Sequence, residues 1–223
     1  MSSNPFFETW NTPFEAPPYG RIKAEHFVPA YERAFAEHEA EIAKIAGKPE
    51  PTFENTIVAL ENAGRALGRV DDIFGHLVGT DSNDMLLAIE RDISPRFAAH
   101  WNKVRMNAAI FARIDALYRR RDSLGLTAEQ NRVLERHHTK FRREGAALDP
   151  DKKKRLATIV ERLAALGTAF SQNVLADEQS YTMVLDGEAD LAGLPDFVRD
   201  AAAAAADERG MKGKRVIDRK SVV

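Results

Sequence analysis

The chain contains no cysteine, which excludes disulfides, thiolate zinc sites, iron–sulfur clusters and a cysteine nucleophile. No apolar run approaches the ~18 residues that a membrane span requires. The segment from Met1 to Trp10 has neither a basic stretch nor a long apolar stretch, so no signal peptide is predicted. Glycine and proline, with 13 and 10 residues, are too scarce for a collagen-like or proline-rich chain. These absences predict a cytoplasmic protein without a membrane segment.

What is present is enough for a globular protein. The 223 residues are 44% hydrophobic and 30% charged, which suits one large domain or two small ones. The net charge of −2 is uneven: it is −8 over residues 1–95, +9 over 96–155 and −3 over 156–223. A basic central block indicates either a nucleic-acid footprint or basic helices packed beside acidic ones. An isoelectric point near 6.3 favours helix packing.

Residues 1–23 are predicted to form an extended arm. Four prolines in this segment fix φ and remove amide donors, which disfavours both a helix and a central strand: Pro5, Pro13, Pro17 and Pro18. Five aromatic residues lie among them: Phe6, Phe7, Trp10, Phe14 and Tyr19. An arm so rich in aromatic side chains is expected to pack across a hydrophobic surface that later elements form.

Residues 24–179 show the apolar periodicity of amphipathic helices, five or six in number. Thr52 is a candidate N-cap for an apolar stripe of some six turns that runs from Phe53 to Leu77. Pro95 predicts a kink or break near Ser94 within the longest stripe, which spans residues 86–118. Such stripes gain stability only by packing on one another. We therefore expect a mainly all-α fold, a bundle of long antiparallel helices.

Two further helices have clear start signals. The segment 127–130, Thr-Ala-Glu-Gln, has the form of a capping box, and Gly145 ends that helix. Asp149 followed by Pro150 supplies an N-cap and a proline at the first helical position of the next helix. That last helix carries an apolar stripe at steps of three and four residues: Leu156, Ile159, Leu163, Leu166, Phe170 and Val174.

Residues 180–223 differ in character from the bundle. Strand formers at 181–185 precede an alanine-rich helix over 195–208, and apolar residues around Val216 can form a second strand. Two strands alone are marginally stable in water. The segment therefore predicts a short C-terminal β/α extension, the strand–helix–strand start of a further subdomain that the chain does not complete.

The sequence offers few groups for catalysis. Six histidines are present, and no two lie at the i, i+4 spacing that lets one helix face bind zinc: His26, His38, His76, His100, His137 and His138. His38-Glu39 is the one His-Glu dipeptide, and Ile42 stands where an HExxH motif needs its second histidine. Surface or helix-packing roles are therefore favoured for all six. No catalytic or metal-binding residue is predicted in this chain, and substrate-binding residues remain unknown.

Other common site motifs are also missing. No glycine-rich phosphate loop occurs, since Gly64 and Gly68 lie within a helical stripe where close helix packing explains them better. A GxSxG nucleophile motif is absent too. The run Lys152–Arg155 is the best nucleic-acid candidate, but no aromatic lies within it to stack on a base, so a solvated helix face is favoured.

An ordered series of residue blocks resembles the thimet oligopeptidase family of zinc peptidases, most closely its bacterial peptidyl-dipeptidase and oligopeptidase A branch. The blocks follow one another in the family's order: 22–30 (IKAEHFVPA), 52–57 (TFENTI), Asn83-Asp84, Ile93-Ser94-Pro95, Asn107, Phe111, Arg113-Ile114, Leu163, Leu166 and 170–175 (FSQNVL). The resemblance runs from about Asn4 to Lys214. Beyond Lys214 it fades, which indicates either an artificial cut with a tag or an early natural stop.

The resemblance implies a mostly helical, clam-like fold with a deep channel in which short peptides are hydrolysed at a zinc ion. In the family, two histidines of HExxH and a downstream glutamate hold the zinc, and none of these maps onto this chain. The chain resembles the family's N-terminal region, which forms one wall of the channel. Zinc is therefore expected in the full-length family member and not in this chain, which we expect to be inactive alone.

Two functional hypotheses follow. In the first, the chain is the N-terminal channel-wall region of a zinc-dependent oligopeptidase or peptidyl-dipeptidase, and its partner is the remaining catalytic region of the same polypeptide. In the second, it is a free-standing helical module that binds a protein or peptide. Neither hypothesis involves nucleic acid or a membrane. Apolar surface uncovered by separation from a partner region also predicts self-association of the chain.

Overall fold

The computed structural model describes residues 4–185 and 187–217. The chain divides between Thr168 and Ala169 into two compact units. Seven long or medium helices and one short helix are present in the described part: α1 (Phe27–Ala46), α2 (Ala59–Asn62), α3 (Arg65–Thr80), α4 (Asp84–Arg105), α5 (Ala108–Arg119), α6 (Ala128–Arg143), α7 (Pro150–Ser180) and α8 (Asp196–Glu208). None of the helices described is both long enough and apolar enough to cross a membrane.

The first unit is a helical bundle arranged around α1. This helix packs against α3 and α4 and also contacts α5, while α5 packs against α6. At 1.5 Å per residue its 20 residues extend about 30 Å, so it reaches two separate apolar cores. Its first turns contribute Phe27 and Tyr31 to one core, and its last turns contribute Ile42 and Ile45 to the other.

The N-terminal segment lies on the first of these cores. It contains three short 3-10 turns, Pro5–Phe7, Pro13–Glu15 and Tyr19–Arg21. The Phe6 ring lies 5.3 Å from the Phe27 ring, centroid to centroid. Trp10 is buried, and its indole N–H donates to the Pro5 carbonyl at 2.8 Å, so the polar atom of the ring is satisfied.

The second core is built mostly by α5 and α6. Its fully buried members are aliphatic: Ile57, Ile110, Ile114, Leu117 and Leu134. Such side chains contribute about 1.5–3 kcal/mol each when they are removed from water. The capping box predicted at Thr127 and the N-cap predicted at Thr52 are both present. Thr127 accepts from the Gln130 amide, and Thr52 accepts from the Asn55 amide.

The long stripe predicted from Phe53 to Leu77 is not one helix. A turn of π-helix, Phe53–Val58, leads into the four-residue α2, and the chain breaks at Ala63 and Gly64 before α3 begins. Gly64 adopts a left-handed conformation with φ of +76°. The expectation that Gly64 lies within a helical stripe is therefore wrong, because the residue supplies a backbone turn that L-amino acids disfavour. Close packing against α1 is present, since a Cβ added to Gly64 would lie 3.1 Å from the His38 ring.

Of the kink or break predicted near Ser94, the break does not occur. Helix α4 continues through Pro95, and the chain changes direction at Asn107 instead, 12 residues later. An interior proline removes one N–H donor and crowds the carbonyl four residues earlier, yet α4 is continuous here, and Ile93, two residues before Pro95, is buried in the first core. The Asn107 side chain accepts from the Ile110 amide at 3.1 Å and so caps a new helix.

The second unit contains an antiparallel pair of short strands and α8. Strands β1 (Met183–Leu185) and β2 (Arg215–Ile217) pair with Val184 opposite Val216. Helix α8 packs on β2 and buries Ala202 and Ala206 against it. The expected all-α fold with a short C-terminal β/α extension is thus confirmed. Residues 218–223, which the sequence analysis placed in the C-terminal extension, lie outside the described residues.

Candidate functional site

Two of the sequence blocks that resemble the peptidase family meet at Arg113 of α5. Its Nη2 donates to Asn55 Oδ1 at 2.6 Å and to the Glu50 carbonyl at 3.2 Å, and its Nε donates to Thr56 Oγ1 at 3.2 Å. Arg113 is only 6% exposed, and burial lowers the pKa of its guanidinium. No carboxylate in the described ranges pairs with it. Arg113 therefore fixes the loop before the π-helical turn, which is a structural function.

Two polar contacts join α4 to the part of α7 that belongs to the first unit. Thr168 Oγ1 lies 2.8 Å from Ser94 Oγ, and the two hydroxyls form a hydrogen bond. Farther along the same helix pair, Asn102 Nδ2 donates to the Ala157 carbonyl at 3.3 Å. These polar contacts hold α7 against α4. They explain the residue types at these positions without any role in catalysis.

Helix α7 presents an apolar face that remains exposed. The structure describes all 31 of its residues, and none of them is buried. In the first unit Leu163 and Leu166 are 61% and 47% exposed. In the second unit Phe170 is 69% exposed, and Phe197 of α8 is 74% exposed. The sequence interpretation expected the α7 stripe to pack within the bundle, and that expectation is wrong for these residues. Exposed apolar patches of this kind mark interaction surfaces.

Two histidines that are 62 positions apart form a buried pair. His38 of α1 and His100 of α4 are 3% and 5% exposed, and His38 Nδ1 lies 2.8 Å from His100 Nε2. One ring must donate and the other must accept, so the contact requires at least one neutral imidazole. Burial lowers the pKa of both rings, and that of His100 falls to about 4.

The surroundings of this pair leave little room for a reaction. His100 Nδ1 lies 3.8 Å from Glu39 Oε1 and forms no hydrogen bond, while Glu39 Oε2 binds Lys103 Nζ at 2.6 Å. Phe35 and Trp101 cover the rings, with centroids 4.8 Å from His100 and 5.3 Å from His38, respectively. The imidazole nitrogens that face each other are already hydrogen-bonded. The pair is consequently a polar contact within helix packing.

The remaining histidines have separate environments. His137 Nε2 lies 2.6 Å from Glu61 Oε1. His138 Nε2 lies 3.2 Å from Asp115 Oδ1, and its ring stacks on Tyr118 at 3.9 Å. His26 accepts from the Lys23 amide through Nδ1, and His76 is exposed. Within residues 4–185 and 187–217, no group of three histidine or carboxylate side chains is arranged to hold a metal ion.

Basic residues of the central block, 96–155, form ion pairs with acidic residues of α1. Arg96 of α4 pairs with Glu32 of α1 at 3.1 Å, and Lys103 of α4 pairs with Glu39 of α1 at 2.6 Å. These are contacts between a basic and an acidic helix, as the packing interpretation of the charge blocks expects. Each pair is partly exposed, so its contribution to stability is about 0–1 kcal/mol.

Sequence comparison with known proteins finds relatives that are all peptidases. No protein-family model matches the chain. It is 36% identical over 96% of its length to the dipeptidyl carboxypeptidase of Escherichia coli (strain K12), and 35% identical over 95% to that of Salmonella typhimurium. Oligopeptidase A of Haemophilus influenzae is 28% identical over 89% of the chain. The chain spans only 32%, 31% and 29% of the length of these three relatives.

Proposed function

Starting from the confirmed similarity of this chain to one part of thimet oligopeptidase family members, we propose that it forms the N-terminal channel-wall region of a zinc-dependent oligopeptidase or peptidyl-dipeptidase. The observation that supports this proposal is the extent of the match. It covers 96% of this chain but 32% of the dipeptidyl carboxypeptidase, so the similarity is to one region of a longer peptidase. The substrates proposed for the whole protein are short peptides in the cytoplasm.

The residues of this chain do not suit a catalytic zinc ion. The sequence contains no HExxH, since Ile42 replaces the second histidine after His38-Glu39. His38 and His100 use one nitrogen each on their mutual hydrogen bond, and zinc needs three protein ligands around an open position. We therefore assign the metal ligands and the water-activating glutamate to the remaining region of the polypeptide, and derive no chemical step from the residues present here.

The contribution that we propose for the chain is structural and steric. A bundle whose loops are fixed by buried polar contacts, such as that of Arg113 with Asn55, can hold one wall of a channel in place. The exposed apolar residues Leu163 and Leu166 of α7 supply a surface on which the catalytic region can pack. Restricting entry to the channel would select short, flexible peptides.

An assay for hydrolysis tests the proposal directly. The purified chain, supplied with zinc and an internally quenched peptide, should show no turnover above a protein-free blank. Turnover that a chelator abolishes would overturn the assignment of the chemistry to another region. In a second experiment, this chain replaces the matching segment of the E. coli dipeptidyl carboxypeptidase. The hybrid should regain chelator-sensitive hydrolysis, whereas the same enzyme with that segment deleted should not.

A second function, a free-standing helical module that binds a protein or peptide, is favoured by one observation, the exposed apolar face of α7. The two proposals differ in what the gene encodes. A reading frame that continues beyond codon 223 into an HExxH segment supports the peptidase region. A reading frame that terminates there supports the free-standing module.

A further inference from the structure

A groove of about 390 Å³ lies against α1, α3 and α4 in the first unit. Its apolar lining comes largely from Phe74 and Val78 of α3 and from Ile93 and Phe97 of α4. Tyr31 and Phe97 meet edge to face, with centroids 6.4 Å apart. An apolar groove of this size can accept a hydrocarbon chain but offers few partners for a polar one.

Two carboxylate residues, Asp71 and Glu90, interrupt the apolar lining. Asp71 is half-buried, and its Oδ1 accepts a hydrogen bond from the hydroxyl of the fully buried Tyr31 at 2.8 Å. In the described part of the chain no lysine, arginine or histidine forms an ion pair with Asp71. Burial raises the pKa of its carboxyl, and the neighbouring Asp72 adds to this effect. A half-buried carboxylate without a counter-ion gains stability from an incoming cation.

Two glycines keep one wall of the groove open. Gly75 and Gly79 lie one turn apart on α3 and both line the groove. A Cβ atom built on either residue would meet no atom within 4 Å. The space beside α3 is therefore free for a ligand, and a larger side chain at Gly75 can fill it without displacing the fold.

We propose that this groove binds a primary ammonium group carried on a hydrocarbon stem, the chemistry of a lysine side chain or an alkylamine. The stem packs against Phe74 and Phe97, and the ammonium group donates to Asp71, whose position Tyr31 maintains. An apolar lining combined with the half-buried Asp71, which has no ion-pair partner among the described residues, selects against anions and disfavours neutral chains. This inference does not depend on the proposed peptidase role.

Titration with three six-carbon probes, followed by NMR chemical shifts, tests the charge requirement. Hexylammonium should bind saturably at the residues that line the groove, 1-hexanol should bind about fivefold more weakly, and hexanoate should not bind, since a partly buried ion pair is worth roughly this factor. Equal binding of hexylammonium and 1-hexanol would overturn the proposal, as would the absence of saturable hexylammonium binding.

Variants locate the site. Asp71→Asn should abolish the preference for hexylammonium over 1-hexanol while leaving the apolar contribution intact. Gly75→Leu should abolish binding of both probes because its side chain occupies the groove. The matched control is Gly68→Leu on the same helix, since Gly68 is also exposed and has no atom within 4 Å of an added Cβ but does not line the groove. Unchanged binding in Gly75→Leu would place the amine elsewhere and overturn the proposal.

A comparison of two peptides distinguishes a lysine side chain from a free alkylamine as the source of the ammonium group. A blocked tripeptide with a central lysine is compared with its norleucine analogue. Binding of the lysine peptide at the groove, with weaker binding of the norleucine peptide, identifies a peptide side chain as the ligand. Binding of hexylammonium alone identifies a small amine. Both results support recognition of an ammonium group on an apolar stem.

Discussion

His38 Nδ1 lies 2.8 Å from His100 Nε2 in a buried contact between α1 and α4. Both rings are almost fully buried, and Glu39 and Lys103, the charged residues beside His100, pair with each other. Burial is the largest cause of the lowered pKa of each ring, and the charge of His38 lowers that of His100 further. The folded protein therefore binds fewer protons at this pair than the unfolded chain does.

The pair predicts a loss of stability in mild acid. The His100 pKa falls from 6.5 to about 4 on folding, so between these pH values the unfolded chain binds more protons and the free energy of unfolding rises with pH. Acidification from pH 6.5 to 4 should lower it by about 3 kcal/mol through His100 alone, at ~1.4 kcal/mol per pKa unit. Urea unfolding at several pH values measures this slope.

Replacement of His100 separates this effect from that of the carboxylates. His100→Gln retains an amide that can hydrogen-bond to His38, and it should flatten the slope between pH 4 and 6.5. His76→Gln, at an exposed histidine of α3, should leave the slope unchanged. An identical slope in wild type and His100→Gln would contradict the assignment to the buried pair.

Gly64 and Gly68 predict opposite effects of the same substitution. Gly64 has φ of +76°, and an added Cβ would lie 3.1 Å from the His38 ring, so Gly64→Ala should destabilise the protein by about 1–3 kcal/mol. Gly68 is helical with no atom within 4 Å, so Gly68→Ala should stabilise it by about 0.5–1 kcal/mol. Thermal unfolding of the two variants checks the difference in sign. Stabilisation by both would show that Gly64 is not constrained.

Replacement of Arg113 should destabilise the fold strongly, although the residue has no role in catalysis. Arg113→Met removes the donors to Glu50, Asn55 and Thr56 and leaves the buried Thr56 hydroxyl and the partly buried Asn55 oxygen without this partner. We expect a loss of about 2–4 kcal/mol in the free energy of unfolding. Arg142→Met, at an exposed residue of α6, should change it by less than ~0.5 kcal/mol. Equal effects in urea unfolding would argue against the buried hydrogen bonds as the cause.

The exposed face of α7 predicts association of the chain in solution. Leu163 and Leu166 are 61% and 47% exposed, and their burial against a second copy or another region would remove apolar surface from water. The double variant Leu163→Asp/Leu166→Asp should shift the sedimentation profile towards monomer. Arg162→Asp on the same helix changes the net charge by the same amount and should not. A wild-type chain that remains monomeric at high concentration contradicts the prediction.

Several local features could be predicted because neighbouring residues produce them. The Thr127–Gln130 and Thr52–Asn55 caps depend on side chains three positions apart. The pairing of the strands around Val184 and Val216 followed from apolar β-formers. The helical fold class followed from periodicity, since each helix needs only a continuous apolar face to be identified.

Other features could not be inferred locally. At the break, Gly64 lies so close to His38 of α1 that an added Cβ would be 3.1 Å from the His38 ring, and no local pattern shows this proximity. Helix α4 continues through Pro95, and Ile93 two residues earlier is buried in the first core. Periodicity alone shows neither outcome. The Asp71 groove likewise forms only where α1, α3 and α4 meet. No spacing in the sequence indicates that Tyr31, 40 positions away, donates to Asp71.

The amino-acid order alone therefore determined the helices, their caps and the relationship to a peptidase family, because capping, periodicity and residue identity act over short stretches of chain. Packing in three dimensions decided which polar groups are buried together, which apolar face of α7 stays exposed and where a cavity opens. Those outcomes depend on free energies of burial, and burial exists only once distant helices are in contact.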